Sequence, residues 1–295
     1  MTDPAKDVDQ YSGIETTGHE WDGIKELNNP LPRWWLYIFY ATVLWAIVYM
    51  VLMPALPALP GMGGGNTPGL RNHSDRDLVA QDLAALQQAR SADGARLLAA
   101  SLQEIEDDRN LLQFALAAGE SAFGDNCATC HGAGGRGANG YPSLADDVWL
   151  WDGTLDGIEY TLRHGIRHPG DDETRFSLMP AYGADGLMSR SDIDDLAEYV
   201  LHISGRAADQ EAVGRASNIW TMQCAACHGV DGAGDRTQGA PNLTDQEWLF
   251  GGDRADIRDS IFYARNAHMP AWQDRLDDQT IKALSVYVHS LGGGE

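Results

Sequence analysis

The chain has 295 residues, enough for about two domains at roughly 100–200 residues each. Asp and Glu total 43 against 21 Lys and Arg, a formal charge of −22, which excludes a nucleic-acid binder, since phosphate contacts need a surplus of cations. A hydrophobic content of 43% is that of a globular protein and excludes wholesale disorder.

Residues 1–33 are polar and acidic and end at Pro30, Pro32 and Arg33. From Trp34 to Met53 the chain reads WWLYIFYATVLWAIVYMVLM, without a charge. A helix of that length is about 30 Å long and matches a bilayer's hydrocarbon core, with Trp34, Trp35 and Tyr37 at one end as an interfacial belt. A cleaved signal has a shorter apolar region nearer the start, so 34–53 is read as a retained transmembrane anchor. Lys25 and Arg33 precede the span, whereas 54–70 carries no charge, so the positive-inside rule puts 1–33 in the cytoplasm and the rest outside.

Pro54, Pro57, Pro60 and the Gly61–Gly65 run read as a linker leaving the membrane. The stretch up to residue 114 is rich in Ala, Leu and charges, and two or three helical pieces are expected between Asp75 and Ala118, broken near Ser91–Gly94.

The remainder of the chain is a tandem repeat. The first copy reads CATCHG, YPSLADDVWLW, SLMPAY and DIDDLAEYVLHISG; the second reads CAACHG, APNLTDQEWLF, AHMPAW and TIKALSVYVHSLGG. The predicted domains are 115–207 and 208–295, with the division near Gly205–Val213 and 54–114 as linker and spacer. In the closing helices, Ser191 with Asp194 fits a capping box ahead of Ile193, Leu196, Ala197 and Val200, and Asp277 or Asp278 caps the stripe of Ile281, Leu284 and Val288. No alternating strand pattern is evident, and the expected fold class is all-α.

The four cysteines fall in Cys127-Ala-Thr-Cys130-His131 and Cys224-Ala-Ala-Cys227-His228. A disulfide framework or a zinc ribbon leaves the His after each pair unexplained. CxxCH is the attachment signature of c-type haem, with two thioether links and a proximal His. Two haem c groups are therefore expected, covalently held by Cys127, Cys130, Cys224 and Cys227, with His131 and His228 as proximal iron ligands. Met179 and Met269 lie in the same M-P-A-aromatic tetrad in both copies, which favours them as the second axial ligands over core filling. Each Met is assigned to its own repeat, exchange between repeats being the open alternative. His164, His168 and His268 lie near the Met loops without matched partners; His202 and His289 read as structural, at helix C-termini.

Pro142 and Pro241 come after the haem motifs at similar distances, and their carbonyls are expected to accept the proximal His N–H. Arg163, Arg167 and Arg265 suit either haem propionates or surface ion pairs, and Trp149 with Trp248 occupy matching positions suited to packing near a porphyrin. With both axial positions filled, neither iron has an open site and no residue is assigned as catalytic; the unit passes electrons. A di-haem peroxidase would need an open iron.

The segment HEWDGIKELNNPLPRWWLYIFYATVLWAIVY, together with both CxxCH motifs and MPAY and MPAW, resembles the di-haem subunit III (CcoP/FixP) of cbb3-type cytochrome c oxidases. The resemblance implies a single-pass subunit of the bacterial inner membrane with two periplasmic cytochrome-c-like domains. It would take electrons from a soluble periplasmic cytochrome c and feed a mono-haem cytochrome subunit, which passes them to the haem-copper, oxygen-reducing, proton-pumping catalytic subunit. A di-haem cytochrome serving another respiratory complex is the alternative, distinguished by the N-terminal segment.

Overall fold

The structure, a computed structural model, describes residues 7–55, 67, 69–71, 74–206 and 208–294; Pro57, Pro60 and the Gly61–Gly65 run lie outside the described residues. The chain forms two compact units that divide between Gln88 and Ala89.

In the first unit, strands β1 (Thr16–Trp21) and β2 (Ile24–Leu27) form an antiparallel hairpin. Its tip is Asp22-Gly23, both at positive φ (50° and 83°), the conformation a two-residue hairpin turn requires. No strand is expected here from the sequence, because the pairing rests on this Asp-Gly turn and not on alternation of apolar residues. Helix α1 (Arg33–Leu52) starts directly after Pro32, beginning and ending one residue before the expected span. It is apolar on every side and none of its residues is buried within the protein, as a lipid-facing helix requires. Its Thr42 hydroxyl donates to the Phe39 carbonyl at 2.7 Å, so this polar group needs no outside partner.

Helix α2 (Asp75–Ala99) runs through the expected break at Ser91–Gly94. Gly94 is buried, and a Cβ there would strike the Gln279 side chain, so this glycine serves a close approach and not a turn. The breaks come later. Ser101 and Glu104 form a capping box that opens α3 (Leu102–Asp107), and the Asp108 carboxylate accepts from the Asn110 and Leu111 amides to open α4 (Arg109–Asn126).

The second unit is helical, in accord with the fold expected from the sequence. Helices α5 (Ala128–His131) and α6 (Leu155–His164) complete the opening half of the first repeat, and α7 (Arg190–Ile203) closes it. The second repeat supplies α8 (Gln210–Gln223), α9 (Ala225–His228), α10 (Arg254–Tyr263) and α11 (Asp278–His289). The cap of α7 is Ser189 with Asp192, two residues before the expected Ser191 and Asp194, because Asp192 is the acid that reaches back to the Ser189 amide. Asp277 caps α11. The predicted stripes Ile193, Leu196, Ala197, Val200 and Ile281, Leu284, Val288 are all buried.

The packing does not keep to the order of the repeats. The closing helix of the second copy, α11, packs against α4 and α6 of the first. The closing helix of the first copy, α7, packs against α8 and α10 of the second. Lobe A is thus built from two separate stretches of chain, and its core joins Phe123, Cys127, Ile158 and Leu162 to Ile281, Leu284 and Val288. Lobe B is one continuous segment inserted between α6 and the Met269 loop, and its core joins Ile193, Leu196 and Val200 to Trp220, Ile257 and Ile261. The two lobes repeat one aromatic contact across copies: Phe123 against Tyr287 at 5.4 Å, and Trp220 stacked on Tyr199 at 5.2 Å.

Candidate haem sites

Each CxxCH motif forms a single helical turn. Cys127 ends α4 and caps α5, and Cys224 does the same between α8 and α9. The amide of His131 bonds the Cys127 carbonyl at 2.9 Å and that of His228 the Cys224 carbonyl at 3.0 Å, which gathers both cysteines and the histidine on one turn. The loops beyond are matched bond for bond. Gly137 donates to the His131 carbonyl at 2.7 Å and Gly234 to the His228 carbonyl at 2.8 Å, both at positive φ. A Cβ at either would lie 2.6 Å from backbone carbonyls of the returning loop, at Tyr141 and Ala240, so only glycine fits.

The returning loop carries the prolines. His131 Nδ1 lies 3.0 Å from the Pro142 carbonyl, and His228 Nδ1 lies 3.0 Å from the Pro241 carbonyl, as expected from the sequence. A carbonyl can only accept, so Nδ1 carries the proton and Nε2 keeps its lone pair for a metal. Burial holds both imidazoles below the ordinary histidine value, which keeps them neutral, the form that ligates. Burial likewise pushes the Cys127 and Cys224 thiols up to about 11. All four cysteines are unpaired.

The Met loops have crossed over. Met269 and Trp149 border the lobe A core that contains Cys127 and Leu162, and Met179, Cys224 and Trp248 border the lobe B core that contains Tyr182. Two backbone bonds between Ile166 and Met269, each 3.0 Å, tie the second copy's Met loop to the exit of α6. Asn266 brackets Met179, its Oδ1 accepting from the Met179 amide at 3.1 Å and its Nδ2 donating to the Met179 carbonyl at 3.0 Å. The Tyr182 hydroxyl donates to the carbonyl of Gln223, the residue before Cys224, at 2.8 Å. Each Met loop therefore packs in the lobe that holds the other repeat's haem motif and not its own: the local motif is the same in both copies, but the chain crosses between lobes after α6 and again before Met269.

The remaining predicted residues divide. Arg163 is committed to ion pairs with Glu159 at 2.6 Å and Asp278 at 2.7 Å, and Arg265 lies over the Phe250 ring. His164 pairs with Asp171 at 3.1 Å, His168 with His268 at 3.3 Å, and His289 with Glu106 at 2.8 Å. Trp149 donates to the Gly293 carbonyl, and Trp248 lies under the Arg206 guanidinium at 4.6 Å. Arg206 Nη2 is buried without a partner among the described residues, a donor available to an anionic group. Sequence reasoning missed Arg206, Asn266 and Lys282, whose ammonium bonds the carbonyls of Leu98 and Ala100 at the end of α2. Asn266 corresponds to Phe176 in the first copy, so comparing the repeats position by position would have flagged only the difference and not its role.

The donor set suits haem c: two thiols and an imidazole with a free Nε2 on one turn, a thioether loop on the same core, and in lobe B one buried guanidinium nitrogen, Arg206 Nη2, without a partner among the described residues. Three families match in chain order: the N-terminal domain of cytochrome oxidase-cbb3, FixP, over residues 13–60; cytochrome c over 116–204; and cytochrome c oxidase, cbb3-type, subunit III over 211–288. A CcoP subunit of a cbb3-type cytochrome c oxidase from Azospirillum brasilense is 47% identical, covering 98% of this chain and 99% of that protein. The chain belongs to the subunit III family of cbb3-type cytochrome c oxidases. The CcoP of Cereibacter sphaeroides is 49% identical over 95% of both chains, and the FixP of Bradyrhizobium diazoefficiens is 49% identical over the whole of both. Membership brings two haem c groups, a membrane anchor in α1 and assembly with other oxidase subunits. The cytochrome c match ends at residue 204 and so includes α7, yet α7 packs on the second haem motif; sequence order and packed lobe differ within this subunit.

Proposed function

We propose that this subunit carries electrons through two six-coordinate haem c sites, one in each lobe. Bound haem c supplies a one-electron iron couple, and His/Met ligation raises its potential. In lobe A, Cys127 and Cys130 would tether the group, His131 would hold it through Nε2 and Met269 through its thioether. In lobe B the same parts are played by Cys224, Cys227, His228 and Met179. The carrying observation is the shared core of Met269 with Cys127 and of Met179 with Cys224. The carbonyls of Pro142 and Pro241 fix the histidine tautomer. No residue is asked to move a proton, which suits a carrier and not a catalyst.

In this reading residues 1–33 lie in the cytoplasm, α1 crosses the inner membrane and both lobes face the periplasm, the side on which bacterial haem c is attached. Lys25 and Arg33 before the span support that orientation. The donor is a soluble periplasmic cytochrome c, drawn by the acidic surface; the acceptors are a mono-haem cytochrome subunit and, through it, the haem-copper catalytic subunit. Isolation of the tagged chain from native membranes in mild detergent tests this reading. Covalent haem at two per chain, with b-type haem, copper and oxygen uptake from reduced cytochrome c in the same fraction, is the expected result. A di-haem protein arriving alone or with a dehydrogenase would overturn it.

A further inference from the structure

Both Met loops are held by one side chain that belongs to neither. Arg167 lies just beyond α6, and its Nε donates to the Ala267 carbonyl at 2.5 Å while its Nη1 donates to the Ser177 carbonyl at 3.1 Å. Those two carbonyls occupy equivalent places in the two repeats, each two residues before its methionine. Arg167 has a left-handed backbone, φ 53, which is strained for a non-glycine residue and persists only where the surroundings demand it. Its own amide is tied to the Arg175 carbonyl at 2.8 Å, so the backbone is fixed as well as the fork. No counterpart exists in the second repeat, where the chain passes from Ala264 to Met269 without the extra segment.

We propose that Arg167 is a shared positioning residue for both methionine ligands, one guanidinium fork setting the two Met loops at once and so coupling the sixth ligation of the two haems. A planar fork presents its donors in fixed, coplanar directions, whereas an ammonium is a point charge whose donors turn freely on a flexible stem. Asn266, in contrast, holds Met179 alone. The proposal rests on the ligand reading given under Proposed function.

The test uses the purified holo-oxidase in the ferric state, tracking displacement of Met from each iron by imidazole and the loss of the Met-to-iron charge-transfer absorbance. Wild type should show two such centres belonging to this subunit, those lost on Met179→Leu and on Met269→Leu, beside whatever the mono-haem cytochrome subunit contributes. Arg167→Gln should accelerate displacement at both, on the order of tenfold each, the effect of one lost charge-assisted bond per loop. Asn266→Ala should accelerate only the centre in lobe B. Arg167→Lys keeps the charge without the fork and should restore at most one centre; it also carries the test if the Gln variant fails to hold two haems. Acceleration at one centre or none in Arg167→Gln, or wild-type behaviour at both in Arg167→Lys, would overturn the shared clamp while leaving the ligands intact. Fewer than two Met-ligated centres assignable to this subunit in wild type would overturn the ligand reading and the clamp together.

Discussion

Ile166 and Met269 exchange backbone hydrogen bonds, each 3.0 Å, across the join between the two repeats. Ile166 belongs to the exit of the first copy's α6, and Met269 is the methionine of the second copy. This pairing delivers Met269 to the lobe that contains His131, and it leaves Met179 to the lobe that contains His228.

The exchange predicts a specific pattern in chains reduced to one haem. With Cys224 and Cys227 replaced by Ala, only the lobe A site is loaded, and Met269→Leu should abolish its Met-to-iron charge-transfer absorbance and lower its potential. Met179→Leu in that background should leave both unchanged. The opposite pattern would return each Met to its own repeat.

Phe123 is 2% exposed and meets Tyr287 from the other copy. Phe123→Ala leaves a cavity and should cost about 3–5 kcal/mol. Because α4 and α11 pack together, hydrogen exchange should accelerate in both helices, which lie at opposite ends of the lobed region in sequence. Acceleration confined to α4 would argue against their joint packing.

The ion pairs that join α7 to the second repeat include Asp195 with Arg215 and Glu198 with Arg254. The arginine partners hold both carboxyls below their ordinary values. A lowered folded-state value means the contribution is complete above the unfolded values near 4 and is lost as pH falls through the lowered ones. Each pair is open to water on its arginine side, so each contributes less than about 1 kcal/mol. Acid titration of stability, monitored by denaturant unfolding, should therefore be shallower in Asp195→Asn with Glu198→Gln than in wild type; equal slopes would show that these pairs contribute nothing.

The anchor has a simple chemical test. Val43 lies near the centre of α1, and Val43→Arg should cost about 2.5–3.5 kcal/mol of insertion. Alkaline extraction of membranes should then release the chain, while Val43→Leu should remain in the pellet.

The formal charge of −22 predicts salt-sensitive reduction by a basic donor cytochrome. Association should slow steadily as ionic strength rises and the Debye length shrinks. A rate independent of salt, measured by stopped flow with the donor in excess, would contradict recruitment by the acidic surface.

Much of this subunit was legible in its residues. CxxCH is a local chemical motif, and the spacing alone fixes two thiols and an imidazole on one helical turn. The helical periodicity of Ile281, Leu284 and Val288 marks a buried face wherever the helix docks, and a proline carbonyl shortly after the motif needs only a short loop to reach the histidine. An uncharged apolar run likewise identifies α1 whatever surrounds it. Which partner each buried face meets was not legible. The closing helices α7 and α11 carry equivalent stripes and equivalent tyrosines, Tyr199 and Tyr287, so either could cover either opening helix with similar apolar contact. The choice was made by tertiary structure, through the Ile166–Met269 pairing, the Asn266 bracket on Met179 and the Arg167 fork, none of which has a copy in the other repeat. Sequence determined the haem chemistry because that chemistry is local; the threading of the chain between lobes decided which methionine shares a core with which CxxCH motif, because that contact is long-range.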